Sequence, residues 1–278
     1  MTRRPEKRVK KGSLLLLLIL ALLAVRLWLD NTAVVTKEYD IVSAAVPPGF
    51  DGLRIAQISD LHGTERLYPA LLRRTAAAKP DLIFLTGDLS DDEGQWEALS
   101  GLLEELCALA PCYYCSGNHE WAELAPEPFF RRLSELGVTV LRNAWVPLER
   151  GGEVLAIAGL EDPNGYADMA TPEEVMVSIR AGTEAPVLVL CHRPGLFPRL
   201  AAAGYGLVFS GHNHGGLIRL PLLGGLVGPA GFFPEYDAGL FSLGESVMLV
   251  SPGLAASNGV PRFLNRPEIS VAVLHPAK

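Results

Sequence analysis

The chain has 278 residues, of which 49% are hydrophobic and 20% are charged. This balance excludes a disordered chain, and four cysteines are too few for a miniprotein built on disulfides. The net charge of −7 is unevenly divided, because residues 1–29 hold seven Lys or Arg against one Glu, a net of +6. The remaining body therefore carries −13, which argues against a broad nucleic-acid surface.

The N-terminus joins a cationic cluster to an apolar run. Six Lys or Arg precede residue 12, the run extends from Leu14 to Val25, and three apolar residues follow Arg26. A full span needs about 20 apolar residues, so this run is short unless Arg26 reaches the interface. We predict that residues 1–29 are a basic tail and an uncleaved anchor. The alternatives are a cleaved signal, which releases the body, and a buried soluble helix, which the cationic cluster disfavours.

Orientation follows from the same cluster. Lys and Arg close to an apolar run stay in the cytoplasm. We therefore expect a single-pass protein of the cytoplasmic membrane, with its N-terminus inside and its body outside. Residues 30–50 are expected to form a linker and an entry strand, and residues 51–278 one catalytic domain.

Predicted strands and helices alternate through the first part of the body. The predicted strands cover residues 53–59, 81–87 and 112–116, and the predicted helices cover 68–79, 96–109 and 128–136. Strands at 138–141, 146–150 and 154–158 follow, the last two joined as a hairpin by Gly151 and Gly152. A helix at 172–180 and strands in 186–192 and 206–214 precede a region of short strands and Gly/Pro turns. This order predicts an α/β fold.

Polar residues recur where the apolar strands end. The segments are 60–62, 87–88, 117–120, 192 and 211–214, and they contain five of the six histidines of the chain. Ligand sites of α/β folds lie at the carboxyl ends of strands. Carboxylate and imidazole together suit Mn, Fe, Zn or Co. The residues are too many for one ion, so we expect two ions about 3.5–4 Å apart that share a carboxylate.

These segments resemble the signature of the calcineurin-like metallophosphoesterases. The motifs occur in the order D-x-H, G-D-x-x-D, G-N-H-E, H and G-H-x-H, between residues 53 and 215. The resemblance implies a four-layer αββα sandwich, in which two mixed sheets pack face to face between helices. Residues 49–52, the anchor and the segment RFLNRPEI (262–269) are similar to a membrane-anchored subgroup. Some members of that subgroup cleave lipid-linked or nucleotide-linked sugar phosphodiesters.

The resemblance also implies a role for each residue of the motifs. One metal ion is expected to bind Asp60, His62 and His214, the other Asn118, His192 and His212, and Asp88 is expected to bridge the two. His119 is the expected catalytic residue, close to the phosphoryl group. The chemistry agrees, because a neutral amide such as that of Asn118 limits the negative charge around a phosphate. An imidazole in the position of His119 can donate a proton to a leaving oxygen or bind the phosphoryl group.

Three further features carry open alternatives. Asp91 is interpreted as a supporting residue or a helix cap and not as a metal ligand. Glu120 either orients His119 or is an acid at the start of a helix. The apolar, Gly-rich segment 215–233 is either a wall that suits a lipid-bearing substrate or the membrane, or ordinary core and turn.

The sequence therefore predicts a membrane-tethered phosphoester hydrolase that depends on two divalent metal ions. Phosphodiester or pyrophosphate bonds, in lipid-linked or nucleotide-sugar-linked substrates, are the expected targets. The alternatives are a non-catalytic membrane-anchored scaffold with the same fold, and a nuclease. The complete ligand set argues against the scaffold, and the acidic body argues against the nuclease.

Overall fold

The computed structural model of the chain describes residues 11–165, 170–229, 231–257 and 259–277. Residues 1–10, which hold most of the basic tail, lie outside the described residues. The helices are α1 Lys11–Thr32, α2 Tyr68–Ala78, α3 Trp96–Leu109, α4 Asn118–Glu123, α5 Pro126–Glu135, α6 Pro172–Gly182 and α7 Phe197–Ala202. The strands are β1 Val35–Ser43, β2 Arg54–Ile58, β3 Leu82–Thr86, β4 Cys112–Cys115, β5 Thr139–Val140, β6 Ala144–Arg150, β7 Glu153–Leu160, β8 Val187–Cys191, β9 Leu207–Ser210, β10 Arg219–Leu220, β11 Gly224–Gly225, β12 Val227–Gly228, β13 Gly231–Phe232, β14 Gly239–Leu243, β15 Ser246–Val250 and β16 Glu268–Pro276.

Two six-stranded sheets form the centre of the fold. The first has the order β1-β16-β2-β3-β4-β5, and the second has the order β14-β15-β9-β8-β7-β6. In the first sheet β2 to β5 are parallel, while β16 is antiparallel to β2. In the second sheet β7, β8, β9 and β15 are parallel, and the edge strands β6 and β14 are antiparallel to their neighbours. Both sheets are therefore mixed.

The central strands are buried on both faces, which explains their unbroken apolar sequences. Along β3, Leu82 and Phe84 belong to the core between the sheets, whereas Ile83 and Leu85 belong to the core under the helices. The outer core of the first sheet contains residues of α2, α3 and α5. The outer core of the second sheet contains residues of α6 and α7. This layering confirms the predicted four-layer αββα sandwich.

The segment 30–50 continues the first sheet. Strand β1 pairs in parallel with β16 over nine residues, from Val35 opposite Glu268 to Ser43 opposite Pro276. Only residues 33 and 34 separate this strand from α1. The end of α1 is also bonded to the body, because Asn31 exchanges two hydrogen bonds with the backbone of Arg262. The chain therefore passes directly from the helix into the sheet, without a free linker.

Helix α1 projects an apolar surface that the body does not cover. Within the described ranges, the segment Gly12–Thr32 is the one helix long and apolar enough to cross a membrane, and its most apolar window is unburied. At 1.5 Å per residue, 21 residues extend roughly 32 Å, close to the hydrocarbon thickness of a bilayer. Exposure of this kind is what a membrane anchor requires, and a helix of a soluble core would be packed.

Candidate metal centre

The loops that follow the strands share an unusual backbone conformation. Five non-glycine residues in them have positive φ: Asp60 at 54°, His62 at 46°, Asp88 at 55°, His212 at 69° and His214 at 49°. Such conformations are sparsely populated by residues with a side chain and concentrate at functional sites. All five are predicted metal ligands, so the strained positions and the predicted site coincide.

The first cluster of potential ligands contains Asp60, His62 and His214. One ligand atom from each lies within 4.8 Å of the others. The Nε2 atom of His214 is 3.4 Å from Oδ1 of Asp60 and 3.3 Å from Nε2 of His62. The Nδ1 atom of His214 donates to the carbonyl oxygen of Ala255 at 3.0 Å, which leaves Nε2 as the free ligand atom.

The second cluster contains Asp88, His192 and His212, again within 4.8 Å. Nε2 of His192 is 3.2 Å from Oδ2 of Asp88, while its Nδ1 donates to the carbonyl oxygen of Thr86 at 2.7 Å. Nδ1 of His212 is buried and has no hydrogen-bond partner among the described residues. A buried polar atom without a partner is costly, and a cation would satisfy it.

Asp88 lies between the two clusters. Its Oδ2 atom is 3.9 Å from Nε2 of His62 and 3.2 Å from Nε2 of His192. Its Oδ1 atom accepts the backbone N–H of His119 at 2.9 Å, which brings the start of α4 against it. Asn118, also at the start of α4, has a buried Oδ1 atom that finds no hydrogen-bond donor in the described ranges. The fold thus gathers the two clusters around Asp88 and places Asn118 at the neighbouring loop.

Asp91 connects His119 to the first cluster. Its Oδ1 atom is 2.7 Å from Nδ1 of His62 and 2.9 Å from Nδ1 of His119. The hydrogen bond to Asp91 raises the pKa of His119 to about 9, against the opposing effect of burial. The cap of the following short helix is Asp92, which accepts the N–H of Gly94 at 2.6 Å. Asp91 therefore supports two histidines, and the helix-cap interpretation of Asp91 is wrong.

Glu120 holds two loops of the site together. Its side chain is completely buried and accepts the backbone N–H groups of Asp88 at 3.0 Å, Leu89 at 2.7 Å and Gly117 at 2.7 Å. Burial, followed by the charge of Asp88, raises the pKa of Glu120 to about 7. Glu120 lies in the first turn of α4 and accepts the N–H of Gly117, the residue that caps this helix, so it is an acid at the start of a helix, as one of the two alternatives predicted. Its described hydrogen bonds go to the backbone of these loops and not to the ring of His119.

Burial lowers the pKa of two of the four predicted histidine ligands. It lowers the pKa of His212 to about 3, with a contribution from His192, and that of His214 to about 4. Both are therefore neutral near pH 7, the form in which histidine binds a metal. Burial opposes the charged form of His192, but the adjacent carboxylate of Asp88 outweighs it and raises the pKa of His192 to about 10. Imidazoles, carboxylates and an amide oxygen, with buried atoms that lack partners, fit a pair of divalent first-row ions.

Two residues of the segment RFLNRPEI, Arg262 and Asn265, support this centre from behind. Arg262 is completely buried and donates to the carbonyl oxygens of Pro252, Gly253 and His214. Asn265 donates to the carbonyl oxygen of His214 at 2.7 Å. Both side chains fix the backbone of a predicted ligand. The sequence analysis did not assign them this role, and the motif resemblance was the only signal that pointed to the segment.

An open cavity of about 400 Å³ adjoins the second cluster. His212 lines it together with Arg193, Phe232, Phe233 and Tyr236. Phe232 is 77% exposed and Phe233 is 57% exposed. In the segment 215–233, these two rings therefore form an apolar rim, and the interpretation as ordinary core and turn does not describe them.

Arg193 supplies a cation to this cavity, whose polar lining also includes His212, Asn213 and Glu235. Asp162 accepts two hydrogen bonds from its guanidinium, at 2.7 and 3.0 Å, and the Asp162 side chain is buried. Two parallel bonds fix the orientation of the guanidinium beside the predicted metal ligand His212. No local sequence pattern predicts this role for Arg193, because its partner lies 31 residues earlier in the chain.

Comparison with known proteins identifies the family. The model of the calcineurin-like phosphoesterase family matches residues 53–216. A transmembrane protein with a metallophosphoesterase domain from Danio rerio is 30% identical, over 99% of this chain and 66% of its own length. The phosphodiesterase YaeI from Escherichia coli is 30% identical, over 80% of this chain and 82% of its own length. The UDP-2,3-diacylglucosamine pyrophosphatase LpxG from Chlamydia muridarum is 27% identical, over 79% and 83% respectively.

The match covers every predicted ligand and the strands that carry them. Members of the family depend on a dinuclear metal site, and the residue clusters around Asp88 provide potential ligands for one. The chain is a metal-dependent phosphoester hydrolase that belongs to the calcineurin-like phosphoesterase family.

Proposed function

We propose that the chain is a membrane-tethered phosphodiesterase or pyrophosphatase with two divalent metal ions. The position of Asp88 carries the proposal, since its Oδ2 atom faces a histidine of each cluster, at 3.9 and 3.2 Å. In this proposal the first ion binds Asp60, His62 and His214. The second binds Asn118, His192 and His212, and Asp88 bridges them. Mn, Fe, Zn and Co all suit these donors.

The residues of the chain divide the chemistry with these ions. When bound, divalent ions stabilise charge on phosphoryl oxygens and lower the pKa of water. Nδ1 of His119 lies 2.9 Å from Oδ1 of Asp91, and its Nε2 atom lies 4.0 Å from Oδ2 of Asp88. Asp91 raises the pKa of His119 to about 9, which favours a protonated ring that can pass a proton to the leaving oxygen.

The cavity beside His212 supports a substrate that is both anionic and apolar. Arg193 offers a guanidinium whose orientation Asp162 fixes, which suits a phosphate near the cleaved bond. Phe232 and Phe233 offer exposed rings at the rim, which suit an acyl chain or another lipid group. The named activity of LpxG, on a diacylated nucleotide sugar, has this combination of groups. We therefore favour lipid-linked or nucleotide-sugar-linked phosphodiesters and pyrophosphates.

Membrane tethering rests on α1. Its apolar side chains are exposed over a length that fits a bilayer, and a relative with the same domain is named as a transmembrane protein. In the proposed arrangement residues 1–29 form the tail and anchor, and residues 51–278 form the catalytic domain. The N-terminus lies in the cytoplasm, because the Lys and Arg cluster precedes the apolar run.

A hydrolysis screen tests the proposal. The full chain in neutral detergent with Mn²⁺ is offered bis(p-nitrophenyl) phosphate, a nucleotide-sugar, a diacylated nucleotide-sugar and phosphatidylglycerol, and inorganic or organic phosphate products are measured. We expect cleavage of the aryl diester and a higher kcat/KM for the acylated substrate than for its deacylated form. Equal values for these two would contradict the lipid preference. Cleavage of monoesters alone, or of DNA and RNA in parallel assays, would contradict the substrate class.

A further inference from the structure

A second cavity, of about 250 Å³, lies where α1 meets the body. No residue of the two metal clusters lines it. Alternate residues of β1, namely Val35, Lys37 and Tyr39, form one wall, because side chains two apart share a face of a strand. The polar lining is completed by Arg26 of α1, Arg219, Asn265, Arg266 and Glu268. We call this cavity the junction pocket.

Positive charge dominates the junction pocket. Of its four cations, Arg26 pairs with Asp30 at 2.7 Å and Arg219 pairs with Asp237 at 3.0 Å. Lys37 and Arg266 have no carboxylate within 4 Å in the part of the chain that the structure describes. The Lys37 ammonium lies 4.5 Å from the centre of the Tyr39 ring, so its contact is with an aromatic ring and not with a carboxylate.

The existing hydrogen bonds among the described residues leave several donors of the junction pocket without an acceptor. Arg266 uses Nε to donate to the carbonyl oxygen of Ala33 at 3.1 Å, and its two terminal amino groups remain for a ligand. Glu268 is the acid in the lining, and it is largely buried. Its Oε1 atom accepts hydrogen bonds from Tyr39 at 2.9 Å and Ser270 at 2.8 Å. The pocket therefore presents two unpaired cations against one acid that is already bonded.

The junction pocket also has a defined place relative to the apolar helix. Arg26 is six residues before the end of α1 at Thr32, which is about 9 Å along the axis. The residues beyond it, Asp30 and Asn31, are bonded to the body at Leu264 and Arg262. The pocket therefore lies at the level where the chain leaves the apolar run. In a membrane-tethered protein this is the level of the lipid headgroups.

We propose that the junction pocket binds the phosphate of an anionic phospholipid from the surrounding leaflet. This inference rests on the membrane tethering in the proposed function, and it adds a binding site that catalysis does not use. Clustered Lys and Arg beside a membrane helix attract anionic headgroups. The body as a whole is acidic, so a local cationic pocket is what lets an anionic lipid approach it. A bound headgroup would hold α1 and β1 together and fix the height of the catalytic domain over the membrane.

Lipid retention by the full chain tests the proposal. The protein is equilibrated in neutral detergent with phosphatidylglycerol or phosphatidylcholine, separated from free lipid, and analysed by native mass spectrometry. We compare the parent with the double variant Lys37→Gln, Arg266→Gln. The matched control is Arg73→Gln, Lys79→Gln, which removes the same charges from exposed positions on and after α2. A third arm adds inorganic phosphate as a competitor.

We expect the parent and the control to retain one phosphatidylglycerol, and the double variant to bind it at least tenfold more weakly. Phosphatidylcholine should not be retained. Equal retention by the parent and the double variant would overturn the proposal, and so would an equal loss in the control. Displacement of the lipid by millimolar phosphate would make the site one for free phosphate and contradict the lipid assignment.

Activity on bis(p-nitrophenyl) phosphate separates this inference from the proposed function. The double variant should hydrolyse it at the parent rate, because Lys37 contacts the Tyr39 ring and Arg266 donates to Ala33, and neither residue belongs to the metal clusters. A parent that retains the lipid but hydrolyses nothing would contradict the proposed function and leave the junction pocket supported. A parent that hydrolyses the diester but retains no lipid would overturn the junction pocket alone.

Discussion

At the scale of single residues, Asp91 links two histidines that have different proposed tasks. One carboxylate oxygen contacts Nδ1 of both His62 and His119. Burial opposes its ionisation, but the hydrogen bonds from the two histidines outweigh this and hold the pKa of Asp91 below its usual range. Asp91 therefore raises the pKa of His119 and also contacts the ring of His62, a predicted metal ligand.

Replacement of His119 by alanine should leave both metal ions bound and lower kcat. We expect a loss of roughly 10²–10⁴-fold, as for other general acid–base groups. The loss should be smaller for diesters of p-nitrophenol, since that leaving group needs little protonation. Steady-state kinetics with a series of leaving groups, and metal analysis of the same samples, measure both effects. An equal loss across the series would remove the role as a proton donor, and loss of metal would make His119 a ligand.

Glu120 should matter for stability more than its place in the sequence suggests. Glu120→Ala leaves three buried backbone N–H groups without an acceptor, each worth about 1–3 kcal/mol. We therefore expect the free energy of unfolding to fall by at least about 3 kcal/mol, measured by urea denaturation of the full chain in detergent without metal. The control is Glu123→Ala on the exposed face of the same helix, where a change within about 0.5 kcal/mol is expected. Similar effects of the two changes would contradict the account of Glu120.

The sequence predicted candidate ligands because each follows an apolar strand and the carboxyl ends of parallel strands meet. It could not predict the residues that support them. Glu120 bonds to Asp88 and Leu89, which are 32 and 31 residues earlier, and no local pattern records such a contact. Arginine is usually a surface residue, yet Arg262 is completely buried among backbone carbonyl oxygens.

At the scale of elements, the strands of the central sheets were predictable and their order was not. Strand β3 shows why. Both of its faces are buried, so its sequence is apolar throughout and does not indicate which strands lie beside it. The hairpin of β6 and β7 was predicted correctly from Gly151 and Gly152, which both have positive φ. Strand β16 inserts between β1 and β2, and pairing across more than 200 residues leaves no trace in the sequence.

The exposed segment around β13 should select for lipid-bearing substrates. The double variant Phe232→Ala, Phe233→Ala should raise KM for an acylated substrate by at least about fivefold, since removal of exposed aromatic area weakens apolar contacts by about 1 kcal/mol or more. KM for bis(p-nitrophenyl) phosphate should not change. Leu243→Ala, at the exposed end of β14 and outside the cavity lining, is the control. A rise in KM for both substrates would assign the rings to general substrate access.

At the scale of the whole molecule, the catalytic domain should lie outside the cytoplasmic membrane. The variant Cys107→Ser, Glu149→Cys carries a new thiol on the exposed edge of β6, while the remaining cysteines are buried. We expect a membrane-impermeant maleimide to label it in intact bacterial spheroplasts as fully as in lysed ones. Labelling only after lysis would show that the catalytic domain lies in the cytoplasm. A shortened, released body would show that the apolar run is a cleaved signal.

The central claim is that one carboxylate joins two metal sites, and metal binding tests it most directly. Calorimetric titration of the metal-free full chain with Mn²⁺ should show that two ions bind per parent chain. Asp88→Asn should weaken both binding steps and abolish hydrolysis of bis(p-nitrophenyl) phosphate, because the lost charge faces both clusters. Asp237→Asn, outside the two clusters, should bind two ions as the parent does. Two ions bound by Asp88→Asn with parent affinity, or one ion by the parent, would contradict the claim.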